Sequence, residues 1–314
     1  MTRLLIASTG GHLAELVLLA PRLSPTAQDE LWVTFDSKQS RTLLADRNVR
    51  FIRDTPPRDW RGVIANTVVA RQLLKQCDVD TAVSNGAGVA LSFLPLAYAK
   101  GISAHYIECA ARTEGPSVTG RTLQRLRGIH LYTQHQELTN ARWQYAGSVF
   151  DSYEPMTMPE PRPLRTVVIT IGTLDFSFLR LLDRLKAILP DAVEVVLQAG
   201  PDSSQIAWPG ARVEALMAPD ELGLLMEQAD VVVAHAGIGS ALMAFEAGKC
   251  PILIPRVKSY GEHVDDHQAQ IAQRFADRGL AVMADASTVD LESFAKAQSL
   301  WVKRAPKLQD FVLL

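Results

Sequence analysis

Residues 230–255, DVVVAHAGIGSALMAFEAGKCPILIP, decide how this chain folds. The apolar runs at 230–234 and 252–255 predict two buried strands, with a helix between them. The loop that opens the helix holds four residues suited to binding an anion: His235, Gly237, Gly239 and Ser240. Such a loop leaves backbone N–H groups unpaired at the positive end of the helix dipole. The stretch therefore predicts a site for an anion such as a diphosphate.

The same alternation of strand and helix extends along the rest of the chain. Strand-like apolar runs fall at 3–8, 31–35, 49–52, 81–84 and 104–108, and a second series falls at 165–171, 193–199, 212–215, 230–234, 251–255 and 280–283. Helical patterns separate them, which predicts parallel sheets covered by helices on both faces. The expected fold is α/β, with two doubly wound, Rossmann-like domains and a cleft between the carboxyl ends of their sheets.

A proline-rich segment divides the two series. Four prolines between residues 153 and 163 predict a semi-rigid linker. The predicted domains are therefore 1–152 and 164–290. The tail at 291–314 is expected to carry one or two helical segments.

Composition excludes some classes of function. The chain has 314 residues, 47% hydrophobic content and a formal net charge of −2, so it lacks the basic surface of a nucleic-acid-binding protein. Its three cysteines, Cys77, Cys109 and Cys250, are widely separated in apolar surroundings. This pattern is typical of reduced core thiols in a cytosolic protein and not of a disulfide framework or a zinc site.

Two features bear on membranes. Residues 81–99 contain no charge and are long enough to span a bilayer, but their Ser, Asn, Gly and Pro residues predict a strand, a turn and a helix instead. Surface attachment is predicted by Trp60, which lies beside arginines, and by Arg121 and Arg125, which alternate with leucines. An ordinary solvated helix face is the alternative for either segment.

Several motifs together resemble a known enzyme family. The run HAGIGS at 235–240, then Glu246, a Gly-Lys-Cys-Pro turn at 248–251 and His267-Gln268 resemble the sugar-nucleotide site of GT-B glycosyltransferases of the MurG and Alg13 type. The segments TGGH at 9–12, SNGAG at 84–88 and YIECAAR at 106–112 resemble the Alg14 or PssD half of a two-part glycosyltransferase. The chain is thus similar to a fusion of the two halves. In GT-B folds a C-terminal helix packs back on the first domain.

The resemblance implies a UDP-sugar site in the second half of the chain. The amides of Gly237, Gly239 and Ser240 would hold the diphosphate, with His235 adding a contact. Glu246 would accept hydrogen bonds from the ribose. The remaining expected donor contacts are the backbone of Leu216 and Met217 for uracil, His267 and Gln268 for sugar hydroxyls, and Gly172 and Thr173 beside them. A capping role for the His-Gln pair is the alternative.

In the first half, the resemblance implies a lipid-linked acceptor. Gly10 and Gly11 would offer amides to its diphosphate, and Asn85 and Arg112 would also lie in the acceptor site. His12 is a base candidate because imidazole titrates near neutral pH. Glu108, on a buried strand, is the competing candidate, since burial can raise the pKa of a carboxyl group. The sequence leaves the choice open.

The segment RVKSYGEH at 256–263 bears on the donor sugar. Arg256, Lys258 and Tyr260 place two cations and a phenol before His267, which is more like PssE-type glucuronosyltransferases than MurG. Arg256 could bind a uronate carboxylate bidentately. Alternatively, the cations neutralise the diphosphate or lie in solvent.

The resulting expectation is an inverting transferase that moves glucuronic acid from UDP-GlcA to a polyprenyl-diphosphate-linked sugar in bacterial exopolysaccharide or capsule synthesis. UDP-GlcNAc and UDP-Gal are alternative donors, and a UDP-sugar epimerase or a non-catalytic scaffold are alternatives of another class. The expected location is cytoplasmic, peripheral on the inner face of the cell membrane.

No metal or other cofactor is expected. The acidic pairs Asp78/Asp80 and Asp265/Asp266 imitate a metal-binding DxD motif but fit the start of a strand and of a helix. A helix N-terminus can supply the positive charge that a metal would otherwise provide.

Overall fold

The chain divides into two units, each built on one parallel sheet. The computed structural model describes residues 1–56, 59–158, 162–172, 176–263 and 266–314. The first unit comprises Met1–Ser152 and Lys307–Leu314, and the second comprises Tyr153–Pro306.

The first unit contains five helices and nine strands among the residues described. Its strands are β1 (Thr2–Ala7), β2 (Leu23–Ser24), β3 (Asp29–Phe35), β4 (Val49–Ile52), β5 (Thr81–Gly86), β6 (Ser103–Ile107), β7 (Ile129–Thr133), β8 (Trp143–Tyr145) and, from the tail, β17 (Phe311–Val312). Its helices are α1 (Gly11–Leu19), α2 (Lys38–Leu43), α3 (Trp60–Gln76), α4 (Val89–Ala99) and α5 (Val118–Leu123). The main sheet has the order β4-β3-β1-β5-β6-β7-β8.

The second unit follows the same plan. Its strands are β9 (Tyr153–Thr157), β10 (Thr166–Thr170), β11 (Glu194–Gln198), β12 (Arg212–Glu214), β13 (Val231–His235), β14 (Ile252–Ile254), β15 (Val282–Met283) and β16 (Leu300–Arg304). Its helices are α6 (Leu179–Ile188), α7 (Pro219–Gln228), α8 (Ile238–Glu246), α9 (His267–Asp277) and α10 (Leu291–Gln298). The main sheet has the order β12-β11-β10-β13-β14-β15.

Each sheet reverses its strand order at one place. β1 pairs in parallel with both β3 and β5, and β10 pairs in parallel with both β11 and β13. Ligands of doubly wound sheets bind outside the carboxyl ends of the strands at such a switch point. The predicted fold of two doubly wound sheets is confirmed, and it directs attention to the loops after β1, β5, β10 and β13.

The uncharged segment 81–99 forms β5 and α4. The face of α4 that packs on the sheet buries Val89, Ala90, Phe93, Leu94 and Ala97, and this burial accounts for the apolar run. Within the described part of the chain, no helix has both the length and the apolar composition required to cross a membrane.

The linker differs from expectation, and the tail holds one helix, as predicted, together with two strands. The start of the proline-rich segment forms β9, which pairs antiparallel with β16 in the register Tyr153↔Arg304 to Leu300↔Thr157. In the tail only α10 is helical, and β17 pairs with β2 of the first unit. The run LWVKR at 300–304 carries bulky residues that favour a strand once a partner strand is present.

Candidate active site

The glycine loop of the second unit joins β13 to α8. Gly237 caps α8, and its carbonyl accepts the hydrogen bond of the Ala241 amide at 3.1 Å. The first-turn N–H groups of Ile238, Gly239 and Ser240 therefore have no acceptor within the helix. The Gly237 N–H already donates to the His235 carbonyl at 2.8 Å. The diphosphate contact expected of the Gly237 amide is corrected, because that amide is already hydrogen-bonded within the loop.

The His235 side chain lies beneath this loop. It is buried, and a Cβ atom on either Gly172 or Gly237 would collide with its ring, so both glycines are needed for the ring to fit. Burial, and then the charge of Arg256, lower the pKa of His235 to about 3. The Ser240 hydroxyl lies 3.5 Å from its Nδ1. His235 is therefore a neutral hydrogen-bonding group against which the loop packs.

Glu246 is not placed to bind ribose. It is the last residue of α8, about 12 Å along the helix axis from the glycine loop at 1.5 Å per residue. Its carboxylate accepts hydrogen bonds from the Tyr153 hydroxyl and from the Arg304 guanidinium, at 2.6 and 3.0 Å for the latter. The ribose role is corrected, because the carboxylate lies at the other end of the helix and is paired there.

Arg256, Lys258 and Tyr260 do not form a common site. Arg256 is 1% exposed, and its guanidinium donates to backbone carbonyls, so it is not free to bind a uronate carboxylate. Tyr260 is exposed with Arg180 over its ring at 4.5 Å, and Lys258 is exposed on the same turn. The uronate role of Arg256 is corrected, because its cation is used inside the protein.

Of the other residues expected to contact the donor, some are hydrogen-bonded within the protein and one is exposed. Gln268 is buried, and its Oε1 accepts the Arg256 amide at 3.0 Å, so it braces a loop. The Met217 N–H donates to the Gln198 side chain at 2.9 Å, while Leu216 is exposed. Gln198, which sequence reasoning missed, thus anchors the turn predicted to bind uracil. Thr173 and the side chain of His267 lie outside the described residues.

In the first unit, Gly10 and Gly11 open α1. The Gln39 side chain brackets Gly10, accepting from its N–H at 2.6 Å and donating to its carbonyl at 3.1 Å. The amide expected to bind the acceptor diphosphate is therefore occupied at Gly10. Gly11, the first residue of α1, keeps a first-turn N–H without an intrahelical acceptor.

His12 lies at the switch point between β1 and β5. Its Nδ1 is 2.9 Å from the Asn85 carbonyl. A carbonyl can only accept, so Nδ1 carries the hydrogen and Nε2 keeps a free lone pair. Gly86, with φ +109°, lets the ring lie close to the backbone. This geometry suits a general base at Nε2.

Glu108 serves a structural purpose instead. It is 3% exposed, and its carboxylate accepts from the Tyr106 hydroxyl at 3.0 Å, the Cys109 amide at 3.2 Å and the Ser117 amide at 2.8 Å. Ser117 is the N-cap of α5. Glu108 as base is corrected, because both of its oxygens already accept hydrogen bonds within the protein, one of them from the start of this helix.

Sequence reasoning missed Glu15, which is fully buried on α1 one turn after His12. Its carboxylate accepts hydrogen bonds from four groups of three other segments: Asn85 Nδ2 (3.0 Å), Cys109 Sγ (2.9 Å), the Ala110 amide (3.1 Å) and Gln134 Nε2 (2.8 Å). Burial and Glu15 raise the pKa of the Cys109 thiol well above its usual range, so the thiol stays protonated. A lone glutamate within the apolar helix HLAELVLLA was the available signal.

Asn85 therefore links His12 to Glu15. Its backbone carbonyl holds the imidazole and its side-chain amide donates to the carboxylate, which makes it a positioning residue more than the acceptor contact expected. Arg112 lies in the turn after Glu108, with its N–H bonded to the Cys109 carbonyl at 2.9 Å. Of the predicted membrane residues, Trp60 is 58% exposed and begins α3, and Arg121 and Arg125 are exposed.

Comparison with known proteins finds similar glycosyltransferases. Residues 166–297 match the glycosyltransferase family 28 C-terminal domain. A UDP-N-acetylglucosamine--N-acetylmuramyl-(pentapeptide) pyrophosphoryl-undecaprenol N-acetylglucosamine transferase of Rippkaea orientalis is 26% identical to the chain, over 90% of the chain and 84% of that protein. The UDP-N-acetylglucosamine transferase subunit ALG13 of Yarrowia lipolytica is 38% identical over 22% of the chain and 34% of its own length.

Solved structures share the architecture. MurG of Acinetobacter baumannii matches with a TM-score of 0.59 at 19% identity, covering 94% of this chain and 89% of that one. The glycotransferase of kitacinnamycin matches with a TM-score of 0.61 at 13% identity, covering 95% and 89%. The fold is therefore GT-B. The chain is thus similar, in the sequence of its second half and in its fold, to glycosyltransferases related to MurG and ALG13.

Proposed function

We propose that this enzyme transfers a sugar from a UDP-sugar to a lipid-linked sugar with inversion at the anomeric carbon. The observation that carries the proposal is the glycine loop at the switch point of the second sheet, where three first-turn amides of α8 have no acceptor within the helix. These amides and the helix dipole suit the diphosphate of a nucleotide sugar.

In the proposed reaction, His12 Nε2 removes the proton of the acceptor hydroxyl. The oxygen forms a bond to C1 of the sugar as the bond from C1 to the diphosphate oxygen breaks. The Ile238, Gly239 and Ser240 amides stabilise the charge that develops on the departing UDP. The residues assigned here supply the base and the anion stabilisation, and the proposal invokes no metal.

For the donor sugar we favour N-acetylglucosamine. The proteins of Rippkaea orientalis and Yarrowia lipolytica are named as N-acetylglucosamine transferases. The main argument for glucuronic acid was a free Arg256, whose guanidinium is buried against backbone carbonyls. The Rippkaea protein is also named as acting on a pyrophosphoryl-undecaprenol, which supports a polyprenyl-diphosphate acceptor.

The test is transfer of radiolabelled sugar to a polyprenyl-diphosphate-linked monosaccharide, with UDP-GlcNAc, UDP-GlcA, UDP-Glc and UDP-Gal offered in parallel. Product with inverted anomeric configuration and fastest turnover of UDP-GlcNAc are expected. Faster turnover of UDP-GlcA would refute the donor assignment. Release of UDP and free sugar without acceptor would refute the transferase mechanism in favour of an epimerase-like one.

We further propose that the acceptor is met at an anionic membrane surface, on the cytoplasmic side. One side of α3, here termed the α3 face, exposes Trp60 (58%), Ile64 (66%) and Val68 (57%). At helical spacing on the same side lie Arg61, Arg71 and Lys75, all exposed. Apolar anchors flanked by cations match the chemistry of an anionic lipid interface.

Vesicle sedimentation tests the α3 face. The wild type should bind vesicles containing phosphatidylglycerol more tightly than pure phosphatidylcholine, and salt should weaken the binding. Replacing Trp60 and Ile64 together by Ser should reduce binding about tenfold or more, since each loses buried apolar area. Leu224→Ser, at an equally exposed apolar position on α7 (57%), is the matched control. Equal loss in both variants would contradict the assignment.

A further inference from the structure

Arg256 follows β14 and is among the most deeply buried charged side chains described, at 1% exposure. Its guanidinium donates to four backbone carbonyls: those of Ile171 (2.7 Å), Phe176 (2.7 Å), Ser177 (3.2 Å) and Glu262 (3.1 Å). The Phe178 ring lies 4.9 Å from the guanidinium carbon. Three of the four carbonyls belong to the segment between β10 and α6.

The arginine is itself held in place. Gln268 at the start of α9 accepts the Arg256 amide, and the buried Glu262 carboxylate accepts the Val257 amide at 2.9 Å. Arg180 of α6 forms a bidentate salt bridge with the Glu262 carboxylate, with N–O distances of 2.9 and 3.0 Å. These hydrogen bonds hold the backbone of the loop after β14, from which the Arg256 guanidinium extends.

The supported segment borders the glycine loop. Ile171, whose carbonyl accepts from Arg256 Nη2, precedes Gly172, and a Cβ at Gly172 would collide with the His235 ring. His235 in turn packs against Gly237 at the start of α8. Arg256 is therefore connected to the anion site through the backbone at 171–172 and the imidazole.

We propose that Arg256 is a positioning residue of the donor site, which fixes the backbone at 171–172 and 176–177 beside the glycine loop so that the diphosphate pocket is formed before the donor binds. The inference rests on the proposed function. The planar fork of the guanidinium reaches the Ile171 carbonyl through Nη2 and the other carbonyls through Nη1, whereas a lysine ammonium carries all its donors on one nitrogen at the end of a flexible stem. Without the fork, buried carbonyls are left unpaired, and the segment moves to recover hydrogen bonds.

The experiment compares Arg256→Gln and Arg256→Lys with the wild type and with Lys258→Ala, an exposed cation two residues away. Calorimetry with UDP alone separates diphosphate binding from sugar recognition. Both Arg256 variants should bind UDP about tenfold more weakly, or 1.4 kcal/mol, and raise the KM of every UDP-sugar by a similar factor. Lys258→Ala should bind UDP as the wild type does. Hydrogen exchange of the amides at 176–180 should accelerate in the Arg256 variants only.

Each other outcome overturns the inference. Wild-type UDP affinity in Arg256→Gln, or full recovery in Arg256→Lys, would remove the need for the fork. Loss confined to UDP-GlcA would show a direct sugar contact. If the wild type binds no UDP, the proposed function fails, and unchanged exchange at 176–180 would then refute the positioning role separately. Arg256→Lys, the milder change, serves if Arg256→Gln does not fold.

Discussion

At the scale of single residues, the base proposed in the first unit depends on how the His12 imidazole is oriented. The Asn85 carbonyl fixes the tautomer of His12, and the Asn85 amide is itself fixed by the buried Glu15 carboxylate. Asn85 Oδ1 is buried without a hydrogen-bond partner among the residues described. The imidazole proposed as the base is therefore held by a polar network that extends through Asn85 and Glu15 to Gln134.

His12→Ala should reduce kcat by about two to four orders of magnitude, because the acceptor hydroxyl loses its base. UDP affinity should not change, since the residue belongs to the first unit. Steady-state kinetics and calorimetry measure the two effects. Glu108→Gln is the control. It should lower the melting temperature but leave the turnover number close to that of the wild type. The assignment is reversed if His12→Ala turns over normally while folded Glu108→Gln is inactive.

At the scale of elements, the two ends of α8 make different kinds of contact. Its first turn presents amides at the switch point, and its last residue, Glu246, joins β9 to β16. Tyr153 and Arg304 lie opposite each other in that strand pair, so one carboxylate can reach both. Burial and Glu246 raise the pKa of the Tyr153 phenol, which keeps the proton that it donates.

Glu246→Ala should therefore lower the free energy of unfolding by about 1–2 kcal/mol, mostly because the buried Tyr153 hydroxyl loses its acceptor. The Arg304 pair, which is largely exposed, should add little. UDP affinity should be unchanged. A double-mutant cycle with Tyr153→Phe, followed by urea denaturation, isolates the hydroxyl contact. A tenfold loss of UDP affinity with normal stability would restore the ribose role.

At the scale of the whole molecule, the two units repeat one strand order, and each contains a buried histidine whose pKa is lowered. Burial, then the charges of His130 and Arg3, lower the pKa of His105 in the first unit to about 3, and that of His235 is likewise about 3. In the unfolded chain a histidine titrates near 6.5. Between these values the unfolded chain binds more protons than the native protein, so acid favours unfolding.

The free energy of unfolding should therefore be highest above pH 6.5 and fall as the pH decreases toward 3. At pH 5 each histidine should cost about 2 kcal/mol, from 1.36 kcal/mol per pH unit. Denaturant titrations at pH 7 and pH 5 measure this difference. In His105→Gln the side chain cannot gain a proton, so the free energy of unfolding should change less between pH 7 and pH 5 than in the wild type. Equal stability of the wild type at the two pH values would contradict the prediction.

The fold and the glycine loop that opens α8 were predictable because their signals are local in the chain. Apolar residues that repeat every two or every 3.6 positions indicate strands and helices directly. A strand followed by glycines and a helix places the unpaired N–H groups of the helix start within a few residues of one another. The position of His12 near the end of β1 was predictable for the same reason, since it directly follows Gly10-Gly11 after a buried strand.

The roles of Glu246, Arg256 and Glu108 were not predictable, because a charged side chain acts through partners chosen by the topology. Glu246 meets a tyrosine 93 residues away and an arginine 58 residues away. Arg256 meets the Ile171 carbonyl across 85 residues. The tertiary fold brings such distant segments together, and a buried charge such as that of Arg256 must find its partners there. Whether a carboxylate or guanidinium faces a substrate or the protein is therefore settled by the packed structure.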